Sequence, residues 1–261
     1  MQTWILVALL APAVYTVVNF IDKYIVSKEV KDPRGMPIYG TIMGFLMGTI
    51  FWIANGFPVL DLFDGFIVML TGMLTIWAAA LYFRAISTEE ASKLILLFQA
   101  TPIFTLIGAY LFLNESISLT QFIGFILILI AVIYVSIEKG NSHFKFSKAL
   151  VLILITDLMW AISAILIKFA INATSFGQIL SYESWGIGVG GVVLYLFFKD
   201  IRDSFNESIR TVRKKALFVM FSNEGIFVIA KSLTFFAYSI GPASLVSVIG
   251  STQVFFGILY G

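Results

Sequence analysis

Nine runs of mostly apolar residues follow one another along the chain, at roughly 3–22, 37–56, 65–86, 92–113, 118–137, 149–171, 179–198, 215–239 and 243–261. Each is close to the length, about 20 residues, that crosses the hydrocarbon core of a bilayer as an α-helix. Inside that core every backbone N–H and C=O must find its partner within the protein, which leaves helices and closed barrels. The runs are continuous rather than alternating at every second residue, so helices are the expectation. Composition agrees. Only 12% of the 261 residues are charged and 59% are hydrophobic, against about 25% charged in soluble domains. The longest polar connection, around residues 199–214, is too short to bury a core of its own. The expected fold is all-α and polytopic, with nine visible transmembrane helices.

The cations sort by connection. Lys23, Lys28, Lys31 and Arg34 follow the first run, Arg84 and Lys93 the third, Lys139, Lys145 and Lys148 the fifth. Lys199, Arg202, Arg210, Arg213, Lys214 and Lys215 follow the seventh. The even connections carry Asp61, Asp64 and Glu115 instead. By the positive-inside rule the odd connections face the cytoplasm and the N-terminus faces out. No Lys or Arg precedes the first run, so it is read as a span and not as a cleaved leader.

The chain also repeats itself. Residues 83–92, FRAISTEEAS, align with 235–244, FFAYSIGPAS, and nearer the start of each half Tyr15 and Lys23 meet Trp160 and Lys168. Gly40 and Gly44 meet Gly186 and Gly190. The units are expected over 1–140 (spans 1–5) and 146–261 (spans 6–9, a tenth being expected). Five spans is an odd number, so the second unit enters the membrane from the opposite side. Such inverted five-helix repeats place a transporter's substrate site near the midplane between the halves.

The segment FRAISTEEASKLILLFQATPIFTLIGAYLFLNESISLTQFIGFILILIAVIYVS resembles the EamA-type repeat of the drug/metabolite transporter superfamily. The likeness lies in its small-residue turn, Pro102, the Asn114–Glu115 pair and Gly124. It implies a ten-span carrier of small metabolites, often an exporter, and it does not name the substrate. Val254 stands where the first half has Pro102, so a span-4 kink is expected to go unmatched in span 9. Members of the family are usually drawn with both ends in the cytoplasm, against the orientation read from the charges.

The candidate site follows from polar groups inside the runs. Lys231 lies in the middle of an apolar run, where a charge costs about 2.5–3.5 kcal/mol on the insertion scale and ordinarily faces a cavity or a partner. Glu224 lies seven residues earlier on the same helical face, about 10 Å away along the axis. Asp157, with Trp160 one turn on, is the expected partner of Lys231, either as a static ion pair or as a working group. Burial favours the neutral form of a carboxylate, which makes Asp157 and Glu224 the candidates for proton coupling. Gln99, Gln253 and Asn19 are candidate substrate contacts, with interhelical hydrogen bonding as the commoner role of membrane amides. Gly40, Gly44 and Gly48, echoed by Gly186 and Gly190, are read as close-packing seams. Pro102 removes a hydrogen bond from the Phe98 carbonyl and is the expected hinge. Lys23 and Lys168 are expected to reach the headgroups.

Other classes lack their residues. There is no cysteine, and the single histidine, His143, lies between spans. No metal site, cofactor or enzyme chemistry is therefore expected, and the basic stretch 210–215 suits a membrane surface better than nucleic acid. The leading reading is a secondary carrier of a small polar or amphipathic metabolite in the cell (plasma or inner) membrane, working by alternating access, with proton-coupled export as its sharper form. Its partners are that metabolite and the bilayer, with a homodimer left open. A passive channel, a lipid-linked-sugar translocase and a non-transporting structural membrane protein are the alternatives.

Overall fold

A computed structural model describes residues 3–88, 97–98, 100–115, 148–171 and 174–260, with 118–120, 122–124, 126–127 and 130. Most of the expected fifth span, together with Lys93, Lys139, His143, Lys145 and Gln99, lies outside the described residues. Every regular element among them is helical: α1 (Thr3–Lys28), α2 (Pro37–Ala54), α3 (Leu62–Ile86), α4 (Ala100–Phe112), α5 (Lys148–Ile171), α6 (Phe176–Phe197), α7 (Lys199–Thr211), α8 (Lys214–Ile240), α9 (Ala243–Gly250) and α10 (Gln253–Tyr260). Six of these, α1, α2 (reckoned from Pro33), α3, α5, α6 and α8, are long and apolar enough to cross a membrane. The bundle's outer face is apolar, with Leu6 and Leu10 of α1 and Ile42, Leu46 and Ile50 of α2 exposed, as lipid contact requires.

Local chemistry sets the boundaries. Pro37 opens α2, where its missing N–H costs no helical bond; Asp61 caps α3, and Ser175 with Gln178 forms a capping box on α6, both meeting N–H groups that have no helical partner. Asn114 adopts φ 54° after α4, a region that asparagine tolerates. Glu115 then turns back onto the start of α9, accepting from the N–H groups of Ala243 at 2.9 Å and Ser244 at 3.0 Å. A carboxylate suits the positive end of a helix.

Packing is by close backbone approach. A Cβ on Gly72 would sit 1.9 Å from the Glu183 carbonyl oxygen, and one on Gly186 would sit 2.0 Å from that of Met69, so α3 and α6 touch almost backbone to backbone. Gly44 and Gly48 do the same for α2 against α6, meeting Ser184 and Trp185. Gly190 faces Met73 of α3. Gly40 differs, facing the Glu224 carboxylate of α8. In addition α1 lies along α8, α3 along α5, and α4 against both α5 and α9.

The structure departs from the sequence reading in four places. First, α1 continues to Lys28, so Asp22 and Lys23 lie inside a helix. Second, neither Lys23 nor Lys168 reaches out to headgroups. Lys23 Nζ donates to the Ile86 carbonyl at the end of α3 (2.9 Å), and Lys168 Nζ donates to those of Tyr238 and Gly241 at the end of α8 (both 2.8 Å). Cations there complement the negative helix end. Third, the Phe98 carbonyl accepts from Thr101 N–H at 3.1 Å. Pro102 therefore sits in the first turn of α4, where no hydrogen bond is lost. The matching run is broken at the equivalent point without a proline: Ser251 and Thr252 form a turn between α9 and α10, and the Thr252 hydroxyl donates to the Ile249 carbonyl (2.8 Å). Fourth, the polar connection after α6 is a helix, α7. It buries Ile201, Ser204, Phe205 and Ser208 against the 3₁₀ turn Pro33–Gly35. A Cβ on Gly35 would meet Phe205 N at 2.4 Å. Arg84 binds Asp200 at 2.8 Å and Arg213 binds Glu29 at 2.8 Å, so the segment after α1, the end of α3 and helix α7 gather at one end of the bundle.

Candidate functional site

A cavity of about 260 Å³ runs between the helices, bordered by α1, α2, α3, α4, α5, α6, α8, α9 and the start of α10. Of the expected site residues, Asn19, Trp160, Glu224, Lys231 and Gln253 line it, as do Gly40, Gly44 and Pro102. Asp157 does not. Its Oδ1 accepts from the Thr101 hydroxyl at 2.7 Å, and its Oδ2 has no partner among the described residues. Residues 157 and 160 stand about 60° apart around the α5 axis, enough for Trp160 to face the cavity and stack against Phe98 (centroids 5.3 Å apart) while Asp157 turns to α4.

The expected Asp157–Lys231 pair is not formed. Lys231, 3% exposed, pairs with Glu183 of α6, which is fully buried, and its Nζ lies 3.2 Å from the Ser184 hydroxyl. The sequence reading passed over Glu183, although SYESW sets an acid within the seventh run. α6 holds Glu183 rigidly, because its backbone carbonyl lies against Gly72. The pair therefore bridges α6 and α8 at the cavity wall, and the lysine charge is already compensated there.

A second polar group missed in the sequence closes one end of the cavity. Asp22, buried on α1, accepts from the Tyr82 hydroxyl of α3 (3.0 Å) and from the Asn223 amide of α8 (2.7 Å). Three helices meet on one carboxylate. Glu224 follows Asn223 and lines the cavity, making no hydrogen bond or ion pair with a described residue. With Lys231 compensated, the cavity's uncompensated charge is negative. Tyr15 stacks edge-on to Phe227 at 5.7 Å, and the rest of the wall is largely apolar, as in ligand sites generally. Among the described residues no group of His, Asp or Glu is arranged to hold a metal.

The profile of the EamA-like transporter family matches residues 2–137. No curated protein matches. Eleven chains of solved structures match. One of them, described only as "Crystal structure of protein", superposes with a TM-score of 0.63 at 12% identity, over 99% of this chain and 88% of that one. At that identity the likeness speaks to the fold alone.

Proposed function

The chain belongs to the EamA-like transporter family, and is thus a multi-pass membrane transporter of the drug/metabolite superfamily with a small-molecule substrate; from that premise we propose that it is a secondary carrier working by alternating access through the cavity between two inverted halves. The observation that carries the reading is the cavity itself, enclosed by helices from both halves of the chain and lined by the Glu224 carboxyl group, which has no hydrogen-bond partner among the described residues. The packing pattern supports the inversion. If α1, α2 and α3 correspond to α5, α6 and α8, then α1 on α8 corresponds to α5 on α3, and both contacts are made. The Lys23 cap on α3 likewise corresponds to the Lys168 cap on α8. Two equivalent crossings differ, however. α3 meets α6 backbone to backbone at Gly186, whereas α2 meets α8 at Gly40 only through the Glu224 side chain, whose Oε2 would lie 3.2 Å from an added Cβ. One crossing is tight and its counterpart looser, as expected of a symmetric frame caught in one of two states.

In this reading Trp160, Asn19 and Gln253 contact a small polar or amphipathic metabolite, and Glu224 answers its charge or carries a coupling proton. The basic end, with Arg34, Arg84 and Arg213, faces the cytoplasm of the plasma or inner membrane. The test is a thermal-shift screen of a metabolite library on the detergent-purified protein, followed by counterflow of the best hit in proteoliposomes. Saturable counterflow abolished by Trp160→Ala is expected. Unsaturable flux would instead indicate a channel, and a co-purified lipid species that no hit displaces would indicate a lipid-linked cargo.

A further inference from the structure

We infer that the end of the cavity between α1, α3 and α8 is a binding subsite for one monovalent cation, held by side-chain oxygens of Asp22, Asn223 and Glu224. The inference rests on the cavity being the transport site and adds where its positive charge resides.

The argument is a count of donors and acceptors. Asp22 Oδ2 accepts from Tyr82 and Oδ1 from Asn223. The Asn223 amide nitrogen also approaches the Val18 carbonyl at 3.4 Å. These two contacts fix the orientation of the amide, since turning it over would set its oxygen against a carboxylate. Asn223 Oδ1 is then left with no partner among the described residues, on a side chain only 2% exposed. Buried acceptors are seldom left so. Glu224 adds a carboxylate that accepts no hydrogen bond from a described residue. The local donors, Tyr82 O–H and the Asn223 amide, are both committed to Asp22.

The charges facing this end do not balance it. Lys231 is two turns along α8 and bound to Glu183 and Ser184. Lys23, beside Asp22 on α1, directs a hydrogen bond to the Ile86 carbonyl. Tyr15 from α1 and Glu183 from α6 bring no positive charge. Two carboxylates in a partly apolar enclosure are costly without a compensating cation. Oxygen-only donors suit a hard ion or an ammonium group. Asp22 is stabilised by two hydrogen bonds and stands beside Lys23, whose bond to a neutral carbonyl leaves its charge in place, so the charge left to balance is close to that of Glu224 alone, and one positive charge does so. Three side chains are also too few for the six or more oxygens that a calcium ion takes from its surroundings. The charge can be a proton, a sodium-like metal ion or the ammonium of a substrate. Whichever it is, it sits beside Asp22, the carboxylate that ties α1 to α3 and α8, so its occupancy acts on the helices whose separation opens this end.

The test follows the melting temperature of the full-length protein in detergent, by tryptophan fluorescence, in three arms. Sodium chloride replaces N-methyl-D-glucamine chloride at constant ionic strength; pH falls from 8.5 to 5.5 in N-methyl-D-glucamine chloride; ethylammonium chloride replaces N-methyl-D-glucamine chloride. At least one arm is expected to raise the wild-type melting temperature by several degrees, and which one identifies the source. Glu224→Gln, which breaks no hydrogen bond, is expected to abolish that shift, Asp22→Asn to weaken it, and Asp157→Asn to retain it. A wild-type protein unmoved in all three arms, or a Glu224→Gln protein with the wild-type shift, overturns the subsite. Metabolite counterflow without a cation shift removes the subsite and leaves the carrier; a cation shift without counterflow keeps the subsite and removes the carrier.

Discussion

Lys231→Met tests the energetics of the cavity wall. The substitution removes one partner of a pair whose members are 3% and 0% exposed. Glu183 would keep only the Ser184 hydroxyl nearby, and its Oε1 already lacks a partner among the described residues. Removing one member of such a pair costs about 3–5 kcal/mol, because the other charge is left buried and uncompensated. At about 2–4 °C per kcal/mol for a chain of this size, melting should fall by roughly 6–20 °C. Replacing both members, Lys231→Met with Glu183→Leu, is expected to recover most of that loss or exceed it, since an apolar pair of similar volume is often neutral or better. Size-exclusion chromatography after heating, applied to the wild type, both single variants and the double variant, gives the coupling energy as a double-mutant cycle. A single variant melting within about 1 °C of wild type would refute the argument, because it would mean the charge is solvated and the pair incidental. The double variant also separates two roles of Lys231: stable and active means the pair only builds the wall, stable and inactive means the lysine meets the substrate.

Gly72→Ala and Gly186→Ala each place a methyl group about 2 Å from a backbone oxygen across α3 and α6 and should abolish recovery of folded protein. Gly225→Ala, with nothing within 4 Å of the added carbon, should be neutral or stabilising by about 0.5–1 kcal/mol, as read by yield and melting. Lys23→Met and Lys168→Met should each destabilise by about 1.5–3 kcal/mol, the range for a charged hydrogen bond, and Lys168→Arg should recover part of the loss in a melting assay. For Asp32, burial alone would raise the carboxyl, but Arg34 (Nη2 at 2.6 Å) and its N–H hold it below the ordinary value. Its contribution to the 3₁₀ turn is therefore present above the unfolded carboxylate pKa of about 3.9 and is lost as pH falls through the lower folded value. Protease sensitivity of the segment 29–37 should rise only below about pH 4, and Asp32→Asn should show it at neutral pH.

What could be read in the sequence was whatever depends on length and hydropathy. The apolar runs correspond to α2, α3, α5, α6 and α8 to within a few residues, and Lys231 stood out because a mid-run cation is costly anywhere. Rotation about a helix axis was not legible. Asp157 and Trp160 are close enough in the helical wheel to be assigned one face, and only the packing of α4 against α5 separates them. Asp22 was lost to a boundary: with the first run ending at residue 22, a carboxylate well inside α1 reads as the wet end of a span. The break before α10 has no proline to announce it. It falls at Ser251 and Thr252, where the Thr252 hydroxyl takes the Ile249 carbonyl, in a segment that reads as continuous span. α7 did leave a signal, since Ile201 and Phe205 lie one turn apart with Ser204 and Ser208 beside them, the spacing of a half-buried helix. Its charge density hid the pattern.

The polar groups divide by what they bind, and the division bears on mechanism. Lys23, Lys168, Glu115 and the two span breaks act on backbone, capping or interrupting helices, and Lys23 and Lys168 do so at corresponding positions. Asp22 of the first half and Glu183, Glu224 and Lys231 of the second lie around the cavity, and the second half's set has no ionisable counterpart in α3, where Gly72 and Ala79 stand near the places that Glu224 and Lys231 hold in α8. On the proposed reading, a frame with matched caps has two conformations of similar energy, because each cap made in one half is made in the other. The unmatched charges then decide which conformation is favoured when the cavity is empty or filled. A ligand shifts such an equilibrium only through a difference in its affinity for the two states. Asp22, joined to α3 and α8 by hydrogen bonds that one state holds and the other must break, provides that difference within reach of Glu224. Substitutions at the caps should consequently alter stability with little effect on direction, whereas Glu224→Gln should alter the ratio of inward to outward flux at nearly unchanged stability.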